Sequence, residues 1–143
     1  MLHAAPSLDP IQHVPGVSAS ASCSAFSVNL CGCTRIVILT RRHAFKLPNF
    51  LSGWRLFLTG LLCNMQERTF AQTGWPELCP VQFSIPGGWL VVMHRVREMT
   101  DEEFLNFDSK AWADRGTHLI PCEHKSNSFG WLDGRPVCID YGS

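Results

Sequence analysis

No charge of one sign predominates in this chain: 12 lysines and arginines stand against 12 aspartates and glutamates, for a formal net charge of zero. Arg41-Arg42 is the single basic pair. Nothing in the charge pattern therefore favours nucleic acid or an anionic membrane as a partner. Long apolar runs are missing as well. A membrane span needs ~20 apolar residues, and the longest run, around Leu56 to Leu62, is interrupted by Thr59 and Gly60. The first residues carry neither a basic start nor an apolar core, so no signal peptide is expected. No hydrophobic segment precedes Cys23, which argues against a lipoprotein anchor. Cys31-Gly32-Cys33 has no second close cysteine pair to match it, and C-x-C alone is a poor zinc signature. No internal repeat is visible.

Cysteine, by contrast, is plentiful, with seven in 143 residues. Cys23, Cys63, Cys79, Cys122 and Cys138 stand singly, mostly in apolar contexts where a reduced cysteine behaves as a small hydrophobe. The expectation is reduced core thiols and a cytoplasmic location. An apolar content of 45% is enough for one domain with a real core.

Residues 1–23 hold three prolines and a Ser/Ala tract without periodicity, and are expected to form a flexible N-terminal arm. A weak strand follows at Ala25–Leu30, then a Cys-Gly-Cys turn. Arg35–Thr40 is rich in β-branched residues and predicts a strand, and Ala44–Leu47 a second one closed by Pro48. Apolar residues at Phe50, Trp54, Phe57, Leu58, Leu61 and Met65 recur at helical spacing up to Arg68. Gly53 and Gly60 weaken that helix. Cys79–Ile85 and Trp89–Val92, joined through Pro86-Gly87-Gly88, predict a hairpin. Thr100-Asp101-Glu102-Glu103 is a capping box, which should open a helix placing Phe104, Phe107 and Ala111 inward. His118–Ile120 is a short strand candidate. Phe129–Leu132 and Pro136–Ile139 flank Asp133-Gly134, whose chemistry suits a type I′ turn. Antiparallel strands interrupted by a helix indicate an α+β domain over residues 24–143.

The stretch Glu123–Ser143 carries the chemistry. Glu123 is followed two residues later by Lys125 and five residues later by Ser128, and a hairpin then delivers Asp140 into a D-Y-G triplet. Phosphoryl transfer needs placed charges and metals more than covalent help. Glu123 is a candidate base and Lys125 a candidate charge stabiliser. Ser128 or Asn127, with Asp140, offers hard oxygen ligands for magnesium.

These residues resemble the small lobe and catalytic loop of the protein-kinase-like fold, in the compact form of short bacterial and phage proteins. Lys46, in Ala44-Phe45-Lys46-Leu47-Pro48, resembles the strand lysine that holds nucleotide phosphates. Glu67, twenty-one residues later, is similar in position to the helix glutamate that pairs with it. Leu90–Arg95, with Met93 and His94, looks like the strand that enters the hinge beneath adenine. Glu123-x-Lys125-x-x-Ser128 resembles the catalytic loop, and Asp140-Tyr141-Gly142 the metal-binding D-F-G. A second register makes Asn127 the ligand and sets Cys122 where the base should be. No H-R-D and no G-x-G-x-x-G is present.

The resemblance implies a twisted antiparallel small-lobe sheet with one long helix and a strongly reduced second lobe. It also implies ATP and Mg2+ as cofactors and a small-molecule phosphate acceptor. Two alternatives stand beside it: a catalytically inactive pseudokinase-type module, and a structural or inhibitory binding protein. For a reduced lobe, a homodimer or protein partner is expected to cover the surface around Thr100–Trp112 and the terminal hairpin.

Overall fold

The computed structural model describes residues 26–29 and 33–142. The expected arm, residues 1–23, lies outside the described residues, as does most of the Cys-Gly-Cys turn. The fold is α+β. Strands β1 (Phe26–Asn29), β2 (Arg35–Thr40) and β3 (His43–Pro48) lead into helix α1 (Trp54–Ala71), after which come β4 (Val81–Ile85) and β5 (Leu90–His94). These five strands pair antiparallel in the order β1-β2-β3-β5-β4, so β5 inserts between β3 and β4. A second sheet has the order β6-β7-β8, from Arg97–Glu98, Phe129–Leu132 and Arg135–Cys138. Helices α2 (Asp101–Leu105) and α3 (Ser109–Ala113) and a turn of 3-10 helix at Ser126–Ser128 lie between β6 and β7.

Local chemistry explains most of these elements. The β-branched run from Arg35 to Thr40 is β2 throughout. Asp133 and Gly134 both take positive φ, 51° and 77°, which the tight turn between β7 and β8 requires. Thr100 caps α2 through Glu103 N–H while the Glu103 carboxylate accepts from Thr100 N–H. A single helix does not follow, however. Asp108 accepts from Ala111 N–H and starts α3 as a separate element, leaving Ala111 exposed. His118–Ile120 is no strand; Leu119 makes an isolated bridge to Asp114.

The largest departure is the orientation of α1. The stripe from Phe50 to Met65 is expected to face the core, yet Trp54, Leu58 and Met65 are exposed while Phe57 and Leu61 are half-buried. Gly60, Cys63, Asn64 and Glu67 face inward instead. Apolar residues surround this helix on every side, so their spacing does not select the buried face. Close approach selects it. A Cβ on Gly60 would lie 2.2 Å from the Thr34 carbonyl oxygen, so this glycine lets the helix rest on the sheet. Gly53 precedes the first helical residue and weakens nothing.

The cysteine expectation is also corrected. Cys122 and Cys138 form a disulfide rather than remaining reduced, while Cys33, Cys63 and Cys79 are free. The apolar residues near the terminal hairpin are largely covered. Phe129 and Ile120 are buried, and Phe104, Phe107 and Trp112 stack around Phe129 at ring-centroid distances of 5.4–5.7 Å. That aromatic cluster covers Phe129, while Leu105 and Leu119 remain 84% and 68% exposed on the surface where a partner is expected. Further exposed apolar side chains lie on α1 and the β4–β5 hairpin. Among the described residues, no helix is long and apolar enough to cross a membrane.

Candidate functional site

Four charged side chains meet beneath α1. Strand pairing sets Arg35 opposite Pro48 and Val37 opposite Lys46, so Arg35 and Lys46 share one face of the sheet. Glu67 comes from the inward face of α1, and Asp140 follows β8. Glu67 Oε1 accepts from Arg35 Nη1 at 2.6 Å and from Lys46 Nζ at 2.7 Å. The other Arg35 terminal nitrogen, Nη2, donates to Asp140 Oδ1. Lys46 Nζ also donates to the Ile139 carbonyl at 2.6 Å.

Burial makes these contacts consequential. Glu67 is fully buried, Arg35 and Lys46 are 7% and 6% exposed, and the Asp140 side chain is 24% exposed. An ion in such a place must be paired, because its desolvation is not otherwise offset. Burial works to lower the pKa of Arg35, but the Glu67 and Asp140 carboxylates outweigh it and hold the guanidinium protonated beyond its ordinary range. Burial pushes the Asp140 carboxyl up, yet Arg35 first and then Lys46 hold it below the usual carboxylate value.

The neighbouring backbone locks this geometry. Asn64 Nδ2 donates to the Lys46 carbonyl at 3.1 Å and the Gly88 carbonyl at 2.8 Å, tying α1 to both β3 and the β4–β5 hairpin. Cys138 is bracketed by the segment before β4: its N–H donates to the Glu77 carbonyl and its carbonyl accepts from Cys79 N–H, each at 2.8 Å. Tyr141 is buried and its hydroxyl donates to the Cys79 carbonyl at 2.8 Å. Gly142 lies so close to α1 that a Cβ there would be 2.2 Å from the Cys63 carbonyl oxygen. The D-Y-G triplet is thus clamped between the five-stranded sheet and α1, which aims Asp140 at Arg35.

The Glu123–Ser128 loop contributes less directly. Glu123 and Lys125 are both exposed and pair with each other. The Lys125 charge reaches Asp140 and helps hold its carboxyl ionised. Asn127 is exposed; Ser128 is buried, and its Oγ has no protein partner. Ile139 N–H donates to the Ser128 carbonyl at 2.9 Å, extending the β7–β8 ladder toward Asn127 and Asp140. Met93 is buried in the core, whereas His94 ends β5 exposed, beside Gln82 and stacked on His43. The structure therefore brings Lys46, Glu67 and Asp140 together, sets Lys125 near them, and keeps Met93 and His94 at the end of β5.

Sequence reasoning passed over Arg35 and Asn64. Each had a signal: a cation heading an otherwise apolar strand, and an amide within an apolar helix. Both are buried: Arg35 donates to two carboxylates and Asn64 Nδ2 to two carbonyls, while Asn64 Oδ1 has no protein partner.

Magnesium demands near-octahedral oxygen coordination and retains several waters. Here the Asp140 carboxylate is paired through Oδ1 with a guanidinium, and the Ser128 hydroxyl is sealed from solvent. No cluster of three or more His, Cys, Asp or Glu side chains suited to a metal occurs among the described residues. These residues do not fit the metal. Comparisons of the chain with protein-family models, with curated proteins and with solved structures find no match in any of the three.

Proposed function

We propose that this chain is a kinase-like nucleotide-binding protein whose phosphate site is formed by Arg35 and Lys46, with Glu67 and Asp140 holding them in place. One observation carries the reading: the Lys46–Glu67 ion pair joins β3 to α1 at 2.7 Å, and the aspartate of the D-Y-G triplet belongs to the same charge cluster. The strand order β1-β2-β3-β5-β4, with α1 between β3 and β4 in sequence, supports it. An ammonium carries three donors and a guanidinium five. Lys46 Nζ gives two hydrogen bonds and the Arg35 terminal nitrogens give one each, so donors remain for phosphate oxygens.

The engaged Asp140 favours binding over phosphoryl transfer, and so the pseudokinase-type alternative over the enzyme. Thermal unfolding with ATP tests the reading. A ligand specific to the folded state at a hundredfold excess over its Kd adds ~2.7 kcal/mol. Lys46→Met is expected to remove most of that gain. No shift at millimolar ATP refutes nucleotide binding.

A second reading, a partner-binding protein, draws on Trp54, Leu58, Leu62 and Met65, which line the outer side of α1 at helical spacing and are exposed. Sedimentation at micromolar concentration tests self-association through that face; a monomer excludes a homodimer.

A further inference from the structure

We propose that Arg35 stands in for a divalent cation at this site, so that Asp140 binds no metal and nucleotide binding is independent of magnesium. The inference rests on the nucleotide reading for its second half only. Three observations carry it.

The first is contact. Arg35 reaches from β2 to bridge two carboxylates, Glu67 through Nη1 at 2.6 Å and Asp140 through Nη2. Bridging carboxylates and neutralising them together is what a resident cation does. A guanidinium does it permanently, because it cannot be deprotonated in a protein and its planar fork suits carboxylates.

The second is charge. Arg35 and Lys46 supply two positive charges, and Glu67 and Asp140 two negative ones, so the cluster is neutral. Glu123 and Lys125 add one of each sign at its edge. In the nucleotide-free chain a divalent ion would add two uncompensated charges to a largely buried site, where desolvation is costly. Without Arg35 the same cluster would carry one net negative charge and would attract a cation.

The third is rigidity. Arg35 heads β2, whose pairing with β3 begins at this residue, opposite Pro48. The Asn49 N–H donates to the Thr34 carbonyl at 2.8 Å just beyond it. Arg35 itself is 7% exposed. Asp140 is equally fixed, since Cys138 is hydrogen-bonded in the ladder and Tyr141 is anchored on Cys79. The Asp140 side chain is 24% exposed, but its Oδ1 is held by the buried Arg35 guanidinium, so a hydrated ion must compete with a fixed cation for it.

The test titrates Mn2+ into the nucleotide-free full chain, read by electron paramagnetic resonance and by broadening of the Tyr141 and Gly142 amide signals. The wild type is expected to show no binding at Asp140 and no broadening. Arg35→Gln is expected to bind Mn2+ at least about tenfold more tightly, as removal of a neighbouring unit charge implies, and Arg35→Gln/Asp140→Asn to lose that gain. Broadening in the wild type that disappears in Asp140→Asn overturns the proposal, and so does a folded Arg35→Gln that gains nothing. Because the wild-type result needs no variant, a misfolded Arg35→Gln leaves the proposal open to refutation. In parallel, ATP with EDTA and ATP with magnesium should stabilise the wild type equally. A shift seen only with magnesium overturns metal independence while leaving nucleotide binding intact. The absence of any nucleotide shift refutes nucleotide binding and with it metal-independent binding, while the Mn2+ titration still decides the role of Arg35.

Discussion

Glu67 is the side chain on which the buried cluster depends most, because one of its oxygens accepts from both Arg35 and Lys46. Glu67→Gln keeps the shape and removes the charge, leaving Asp140 alone to balance two buried cations. Taking one partner from a buried ion pair costs about 3–5 kcal/mol, mostly through the uncompensated charge left behind. In a domain of this size about 3–5 °C of Tm accompanies each kcal/mol, so the variant should melt about 9–25 °C below the wild type. Urea unfolding should show a lower midpoint with an unchanged slope, the sign of lost stability rather than a changed unfolded state. The decisive comparison is Lys46→Met/Glu67→Leu, which removes one charge of each sign and leaves Arg35–Asp140 balanced. Replacing a buried pair by apolar residues of similar volume is often neutral or stabilising. The double variant should therefore recover most of the loss seen in Glu67→Gln. The reasoning is refuted if Glu67→Gln costs under ~1 kcal/mol, or if the Lys46 and Glu67 effects simply add, since coupled neighbours must not.

Gly142→Ala forces a Cβ to within 2.2 Å of the Cys63 carbonyl oxygen and 2.5 Å of Glu67 Cγ; overpacking of this kind costs about 1–3 kcal/mol, measurable by urea unfolding. Glu103 titrates with a pKa lowered to about 2, because Arg97 donates two hydrogen bonds to its carboxylate and Thr100 N–H a third. Its folded pKa lies below its unfolded value, so its contribution to stability is present above about pH 4.5 and is lost as the pH falls toward 2. Carboxyl NMR of Glu103 checks this, and a midpoint near 4.5 would falsify the Arg97 assignment. Among Cys33, Cys63 and Cys79, iodoacetamide at neutral pH should label Cys33, which is exposed, and spare the buried pair. Burial pushes the Cys79 thiol up to about 11, far from the reactive thiolate. Peptide mapping without reductant should recover Cys122 and Cys138 linked.

Local interactions made much of this protein legible from sequence. The β-branched run of β2, the Asp133-Gly134 turn and the Thr100–Glu103 capping box each depend on residues that are neighbours in the chain. Lys46 and Glu67 are singled out by resemblance to the strand lysine and helix glutamate of the kinase-like fold, and Asp140 by closing an apolar strand in the D-Y-G triplet. The paired β6, two residues long, carried no pattern that could announce it. Asp108 broke a helix that the preceding capping box opened, because a second N-cap competed for the same backbone.

Tertiary structure decided the rest. The inward face of α1 could not be read from spacing, because apolar residues stand on all sides of it. Contact with the sheet settled the matter: Gly60 and Gly142 allow close approach, and Glu67 can be buried only where two cations meet it. Strand register places Arg35 in the cluster, and the β7–β8 hairpin places Cys138 beside Cys122. Sequence periodicity determines which residues share a face. Which face is buried, and which charges pair there, depends on groups far apart in the chain, as with Arg35 and Asp140, 105 residues apart.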